Sequence, residues 1–144
     1  MSIQLRCLAA LVIGLVWGGA SSGAIAADPT GTWLTQQGEA KIRVARCGKN
    51  MCGTIIWLRE PIDPATGKPH VDDKNPDPKL QKRKIIGLRI FNMAPESAAT
   101  WAGEVYDSDD GKMYKAKIIL KAPTQLEVQG CAGILCGSEM WTKQ

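Results

Sequence analysis

Apolar and polar residues alternate along much of this chain. In "KIRVARC" (41–47), Ile42 and Val44 are set against Lys41 and Arg43, a period of two that fits a half-buried strand and not a helix. "YKAKIILK" (114–121) sets Ala116, Ile118 and Leu120 against Lys115, Lys117 and Lys121, and "TQLEVQG" (124–130) sets Leu126 and Val128 against Gln125, Glu127 and Gln129. "GTWLTQ" (31–36), "CGTIIWLR" (52–59), "IIGLRIF" (85–91), "TWAGEVYD" (100–107) and "CGSEMWTK" (136–143) complete eight predicted strands. Most of the gaps between them are turn-sized: "QQG", "GKNM", "NMAPESA", "SDDGK", "KAPT" and "AGIL". A consecutive antiparallel series is a meander, and eight strands close into a small barrel.

One connection is long. Residues 60–84 hold five of the chain's eight prolines and run far beyond a hairpin loop. Asp77 followed by Pro78 has the form of an N-cap with proline at the first helical position, which predicts a short helix through Leu80 and Arg83. In an eight-stranded meander this segment shares a barrel end with the "SDDGK" turn and the "CAGILC" hairpin, so a mouth is expected there. The segment also holds the one histidine, His70, and the carboxylates Asp63, Asp72, Asp73 and Asp77. A calcium loop needs a glycine at its sharp turn, where "DDKNPD" has proline, so these acids read as surface turn chemistry. "KLQKRK" (79–84) is the dense basic stretch, a solvated face that could also meet anionic envelope lipid.

The N-terminus predicts export. One positive charge at Arg6, the apolar run "CLAALVIGLVWGGA" and the small-x-small site Ala24-Ile25-Ala26 make residues 1–26 a signal peptide and 27–144 a single domain. The apolar run is broken by glycines and followed by a cleavage site, which argues against a transmembrane anchor. Cleavage removes Arg6 from the 18 Lys and Arg, leaving 17 against 14 Asp and Glu. So mild a balance gives no reason to expect nucleic acid. The expected compartment is a bacterial periplasm.

The same cleavage removes Cys7 and leaves Cys47, Cys52, Cys131 and Cys136. They lie in two copies of one pattern, "CGKNMCGTIIW" and "CAGILCGSEMW". Four cysteines in an oxidising compartment are a disulfide signature. Each C-x4-C brackets a predicted four-residue hairpin loop, and cysteines facing each other across it would be close enough to bond. The expected pairs are therefore Cys47–Cys52 and Cys131–Cys136, with the glycine and tryptophan after each pair on one face. A shared zinc ion would need the two pairs together, but strand counting puts them at opposite ends of the barrel. Redox chemistry of the thioredoxin kind needs C-x-x-C at a helix start.

Trp33, Trp57, Trp101, Tyr106 and Tyr114 are the candidate ligand-binding residues, all on predicted strands. A barrel of this size is either filled by its own side chains or holds one small ligand. No nucleophile is placed beside His70 by a recognisable motif, so no catalytic residue, metal or cofactor is expected.

Two resemblances add to this. "GTW" (31–33) resembles the G-x-W of lipocalins and the wider calycin group, in which the tryptophan closes one end of the barrel under a basic residue from the last strand. The resemblance implies that Lys143 takes the place of the usual arginine. Over the whole mature chain, "DPTGTWLT", "CGTIIWLREPIDPATGKP", "DDKNPDPKL", "GEVYDSDDGKMYKAKIIL" and "CGSEMWT" follow one another as in the exported bacterial proteins of domain of unknown function 2147. That family is similar to lipocalin-like barrels. Its resemblance carries the paired cysteines onto Cys47, Cys52, Cys131 and Cys136 and an Asn-Pro-Asp turn onto Asn75, Pro76 and Asp77; members often have proline at the position of Lys84. The expectation is an all-β, eight-stranded up-and-down barrel with one long Pro/Asp/Lys-rich loop carrying a short helix. Its expected role is to bind a small apolar or amphipathic molecule, the alternative being a filled barrel that makes envelope contacts through 60–84.

Overall fold

The computed structural model describes residues 27–144 and is all-β. The predicted signal peptide, 1–26, lies outside the described residues. Ten strands follow in order: β1 (Gly31–Leu34), β2 (Ala40–Cys47), β3 (Asn50–Leu58), β4 (Ile62–Asp63), β5 (Lys68–Pro69), β6 (Arg89–Ser97), β7 (Thr100–Asp107), β8 (Lys112–Ala122), β9 (Gln125–Ala132) and β10 (Leu135–Lys143). Eight close into an antiparallel barrel in the order β1-β10-β9-β8-β7-β6-β3-β2, and β4 and β5 form a two-stranded ribbon inside the long connection. Closure leaves no unpaired edge along the barrel wall.

Glycine placement sets the turns. Gly48 and Gly133 have φ of 66° and 63°, a conformation open to glycine at the first central position of a two-residue hairpin turn. Gly48-Lys49 and Gly133-Ile134 are such turns, so the expected four-residue loops contract to two and the strands run further. The glycine stands second in "CGKNMC" and third in "CAGILC", and the two disulfides differ as a result. Cys131 and Cys136 face each other directly. Cys47 faces Asn50 and Cys52 faces Ala45, so that pair bonds diagonally. Both expected disulfides are formed.

The core fills the half of the barrel away from the long connection. Trp33, Met51, Met93, Ile118 and Leu126 are essentially inaccessible, and Phe91 and Trp101 are buried among them. Gly53 is required here, because the Phe91 ring lies where its Cβ would be. Trp33 closes this end. It pairs with Lys143 across β1 and β10, its indole N–H donates to the Pro29 carbonyl at 2.8 Å, and Lys143 Nζ stands 5.4 Å from the ring centroid. That geometry is a cation–π contact.

The long connection contains no helix, contrary to expectation. Asp77 does cap locally, accepting the Lys79 N–H at 3.0 Å, but the bonds that follow are isolated turns, Leu80 N–H to Asp77 and Arg83 N–H to Leu80. A few residues cannot offset the cost of helix nucleation, and this chain is held at both ends instead. Gln81 donates to the Asn75 carbonyl, and Val71 and Lys84 form a β-bridge. The connection is an ordered strap.

Candidate functional site

The strap, the β1–β2 turn, the β7–β8 turn and the β9–β10 hairpin meet at the end of the barrel opposite Trp33. Between them opens a cleft of about 760 Å³. Its apolar floor is the upper surface of the core, formed by the buried Ile42, Ile55, Val128 and Trp141 with the partly buried Val105, and Glu39, Asp107, Asp109 and Glu139 stand in the same lining. Gly130 and Gly137 face each other on β9 and β10, and a Cβ added to either would meet nothing within 4 Å. The two glycines are therefore where side chains that would fill the cup are missing. A second space of about 430 Å³ lies under the strap against His70, Val71 and Ile85, sharing Glu39, Ala40, Ile55, Ser108 and Asp109 with the cleft.

The strap is pinned by a buried carboxylate. Asp72 is 0% exposed and accepts from the Tyr106 hydroxyl at 2.6 Å, Asn75 Nδ2 at 2.9 Å and Arg83 Nε at 2.7 Å. Asn75 Nδ2 also reaches the Tyr106 oxygen at 3.0 Å, and the Arg83 guanidinium lies 5.7 Å from the Tyr106 ring centroid. Burial is the largest influence on the Asp72 carboxyl and raises its pKa, yet the hydrogen bonds from Tyr106, Arg83 and Asn75 outweigh it and hold the group below its ordinary value. Gly111 lets the strap pass the β7–β8 turn, since the Lys74 carbonyl occupies the place of its Cβ.

The polar groups of the cleft are held differently. Asp107 accepts the Asp109 N–H at 2.9 Å, but burial, joined by the like charges of Asp109 and Asp110, raises its carboxyl above the ordinary pKa. The Trp141 indole N–H donates to Glu139, and the Tyr114 hydroxyl donates to Asp110. Glu39 pairs with Arg59 at 3.7 Å, both exposed.

Of the five aromatic candidates, Tyr106 and Tyr114 border the cleft. Tyr106 sends its hydroxyl outward to Asp72. Trp33 is the plug of the closed end and Trp101 belongs to the packed core. Trp57 is 39% exposed, with Lys41 Nζ 5.2 Å from its ring centroid. The two motif tryptophans thus part company. A bulge lets Ile42 pair with Ile55 while Lys41 pairs with Trp57, so one extra residue turns Trp57 off the expected face. Trp141, on an unbulged ladder, stays inside the cup. It lies outside the five candidates, and it shares strand and face with Gly137.

The family model described as "Uncharacterized protein conserved in bacteria (DUF2147)" matches residues 31–143. Among solved structures the chain is similar to the Helicobacter pylori protein HP1028, described as belonging to the lipocalin family. The TM-score is 0.68 at 19% identity, over 81% of this chain and 83% of that one. At that identity the likeness shows the fold, a lipocalin-like barrel. No curated protein matches the chain.

Proposed function

We propose that this chain, which belongs to the DUF2147 family of bacterial proteins, binds a small amphipathic molecule in the open half of its barrel and acts as a carrier and not as an enzyme. One observation carries this reading: a cleft of about 760 Å³ at the strap end of the barrel, floored by isoleucine, valine and tryptophan of the core and rimmed by charged side chains. Ligand sites have this combination of apolar walls with a few placed polar groups. The lipocalin-like fold supports the same reading by analogy of form. Two disulfides suit an oxidising compartment, which supports export to the periplasm.

The alternative, an envelope contact surface along 60–84, draws on the exposed strap side chains Val71 and Leu80 beside its lysines. The strap also walls the smaller space continuous with the cleft, which favours a role in shaping the site. Native mass spectrometry of the exported, gently purified protein tests the carrier reading. It predicts an additional mass that denaturation releases, or uptake of one molecule of added decan-1-ol. Bare protein that takes up none contradicts it.

A further inference from the structure

The charge of the cup selects among amphipathic ligands. The chain as a whole has more Lys and Arg, 18, than Asp and Glu, 14. The cleft reverses this, with Glu39, Asp107, Asp109 and Glu139 in its lining and no lysine, arginine or histidine. Arg59, His70 and Lys74 line the smaller space beside the cleft, and other cations stand further off, on the strap at Lys79, Lys82 and Lys84 and on the outer face of β8 at Lys115 and Lys117, which alternate with the core residues Ala116 and Ile118. Of the four carboxylates, only Glu39 has a cationic partner, Arg59. Among the described residues Asp107, Asp109 and Glu139 take part in no ion pair. Asp107 and Glu139 are half-buried beside the apolar walls, where like charges repel more strongly than in water, while Glu39 and Asp109 stand exposed at the rim. Burial is the main cause of the raised pKa of Asp107, and the like charges of Asp109 and Asp110 on the same turn add to it.

We propose that the ligand is an organic monocation: an apolar chain or ring bearing a primary amine or quaternary ammonium. Its apolar part lies against Ile42, Ile55 and Val128, and its cation meets the Asp107 and Glu139 carboxylates and the faces of Tyr114 and Trp141. Aromatic faces combined with unpaired carboxylates attract an ammonium by charge and by the ring quadrupole. A fatty-acid-like anion would bring its carboxylate against four others. A divalent metal does not fit, because no group of three His, Cys, Asp or Glu converges as a metal site among the described residues, and it would leave the apolar walls unused. The cup makes the site and its acids set the sign of the ligand, so this inference rests on the carrier reading.

Three ligands of one chain length, decylamine, decan-1-ol and decanoate, distinguish the two. Titrated calorimetrically into the intact protein at neutral pH and low salt, decylamine binds about tenfold or more tightly than decan-1-ol, the factor of a single charge-assisted hydrogen bond, and decanoate binds weakest. Glu139→Gln and Asp107→Asn each shrink the amine-to-alcohol ratio, while Glu104→Gln, on the opposite face of β7, leaves it unchanged. Decan-1-ol or decanoate binding as well as the amine overturns the cation inference and leaves the carrier reading standing, as does an unchanged ratio in both cup variants. Failure of all three ligands to bind overturns both.

Discussion

The Tyr106 hydroxyl donates to Asp72 Oδ1 at 2.6 Å across 34 residues of chain, and so ties the strap to the outside of β7. Asp72 is fully buried, and the bond is one of three that compensate for its desolvation. Tyr106→Phe removes the donor and leaves the carboxylate under-satisfied, which costs about 1–3 kcal/mol. Chemical denaturation reads the loss. Hydrogen exchange should quicken over residues 71–85 before the barrel strands. Unchanged exchange there would show that the strap is held by other contacts.

Two carboxylates give the stability opposite dependences on pH. The folded-state pKa of Asp72 is lowered, so its contribution is present above the unfolded value of about 3.9 and is lost as pH falls through the folded value. That of Asp107 is raised, so its ionisation weakens the fold as pH climbs through the raised value. Asp107→Asn, which cannot ionise, therefore raises the melting temperature at pH 7 and has no charge-related effect below about pH 3, where the wild-type carboxyl is protonated folded or unfolded. A melting temperature unaltered at pH 7 counts against an unfavourable charge in the cup.

At the closed end, Gly31 and Lys143 share one space. A Cβ on Gly31 would come within 2.7 Å of Lys143 Cε, and φ at this position is 141°, where a side chain is strained. Gly31→Ala should cost about 1–3 kcal/mol by overpacking. Lys143→Ala should cost about 0.5–2 kcal/mol through its lost contact with Trp33. Combined, they should cost less than the sum, since the clash needs both side chains; additive losses in a double-mutant cycle would rule out that contact.

The disulfides stand at opposite ends, and their removal should separate stability from binding. Each closes a short ring, worth about 2 kcal/mol by loop entropy. Cys47→Ser with Cys52→Ser should lower stability by about that amount and spare ligand affinity. Cys131→Ser with Cys136→Ser loosens a hairpin that borders the cup and should lower both. Equal effects on affinity would mean that the hairpin is not part of the site.

Much of this architecture can be read in the chain because alternation is a local signal. Strands β2, β8 and β9 declare themselves by their own Ile, Val and Leu positions, and the count of eight fixes which connections share an end. Pairing of the cysteines follows from the same hairpins. What escapes is set by single residues in context. The register of each cysteine pair depends on whether glycine stands first or second in the four-residue loop, and Pro95 hides the second half of β6. Proline is tolerated there because β3 pairs with β6 only as far as Met93, and the ladder to β7 is irregular between Pro95 and Ser97. The bulge that turns Trp57 outward has no composition signal, so Trp57 and Trp141 look equivalent in sequence. Asp72 gave the appearance of turn chemistry because its partners Tyr106 and Arg83 are distant in the chain. The cap at Asp77 is real, but too little chain follows it to propagate a helix.

The central claim is that the open half of the barrel is vacant space for a ligand. Gly130→Leu tests it most directly, because that glycine borders the cup, an added Cβ there meets nothing within 4 Å, and its backbone is not left-handed. Decan-1-ol titrated into wild type and Gly130→Leu, with calorimetry and the melting temperature recorded for both, decides the matter. The account predicts saturable one-to-one binding by wild type, at least about tenfold weaker binding by a variant that is no less stable, and therefore a filled cup. Equal binding by both proteins, or binding of neither decan-1-ol nor decylamine by wild type, contradicts it.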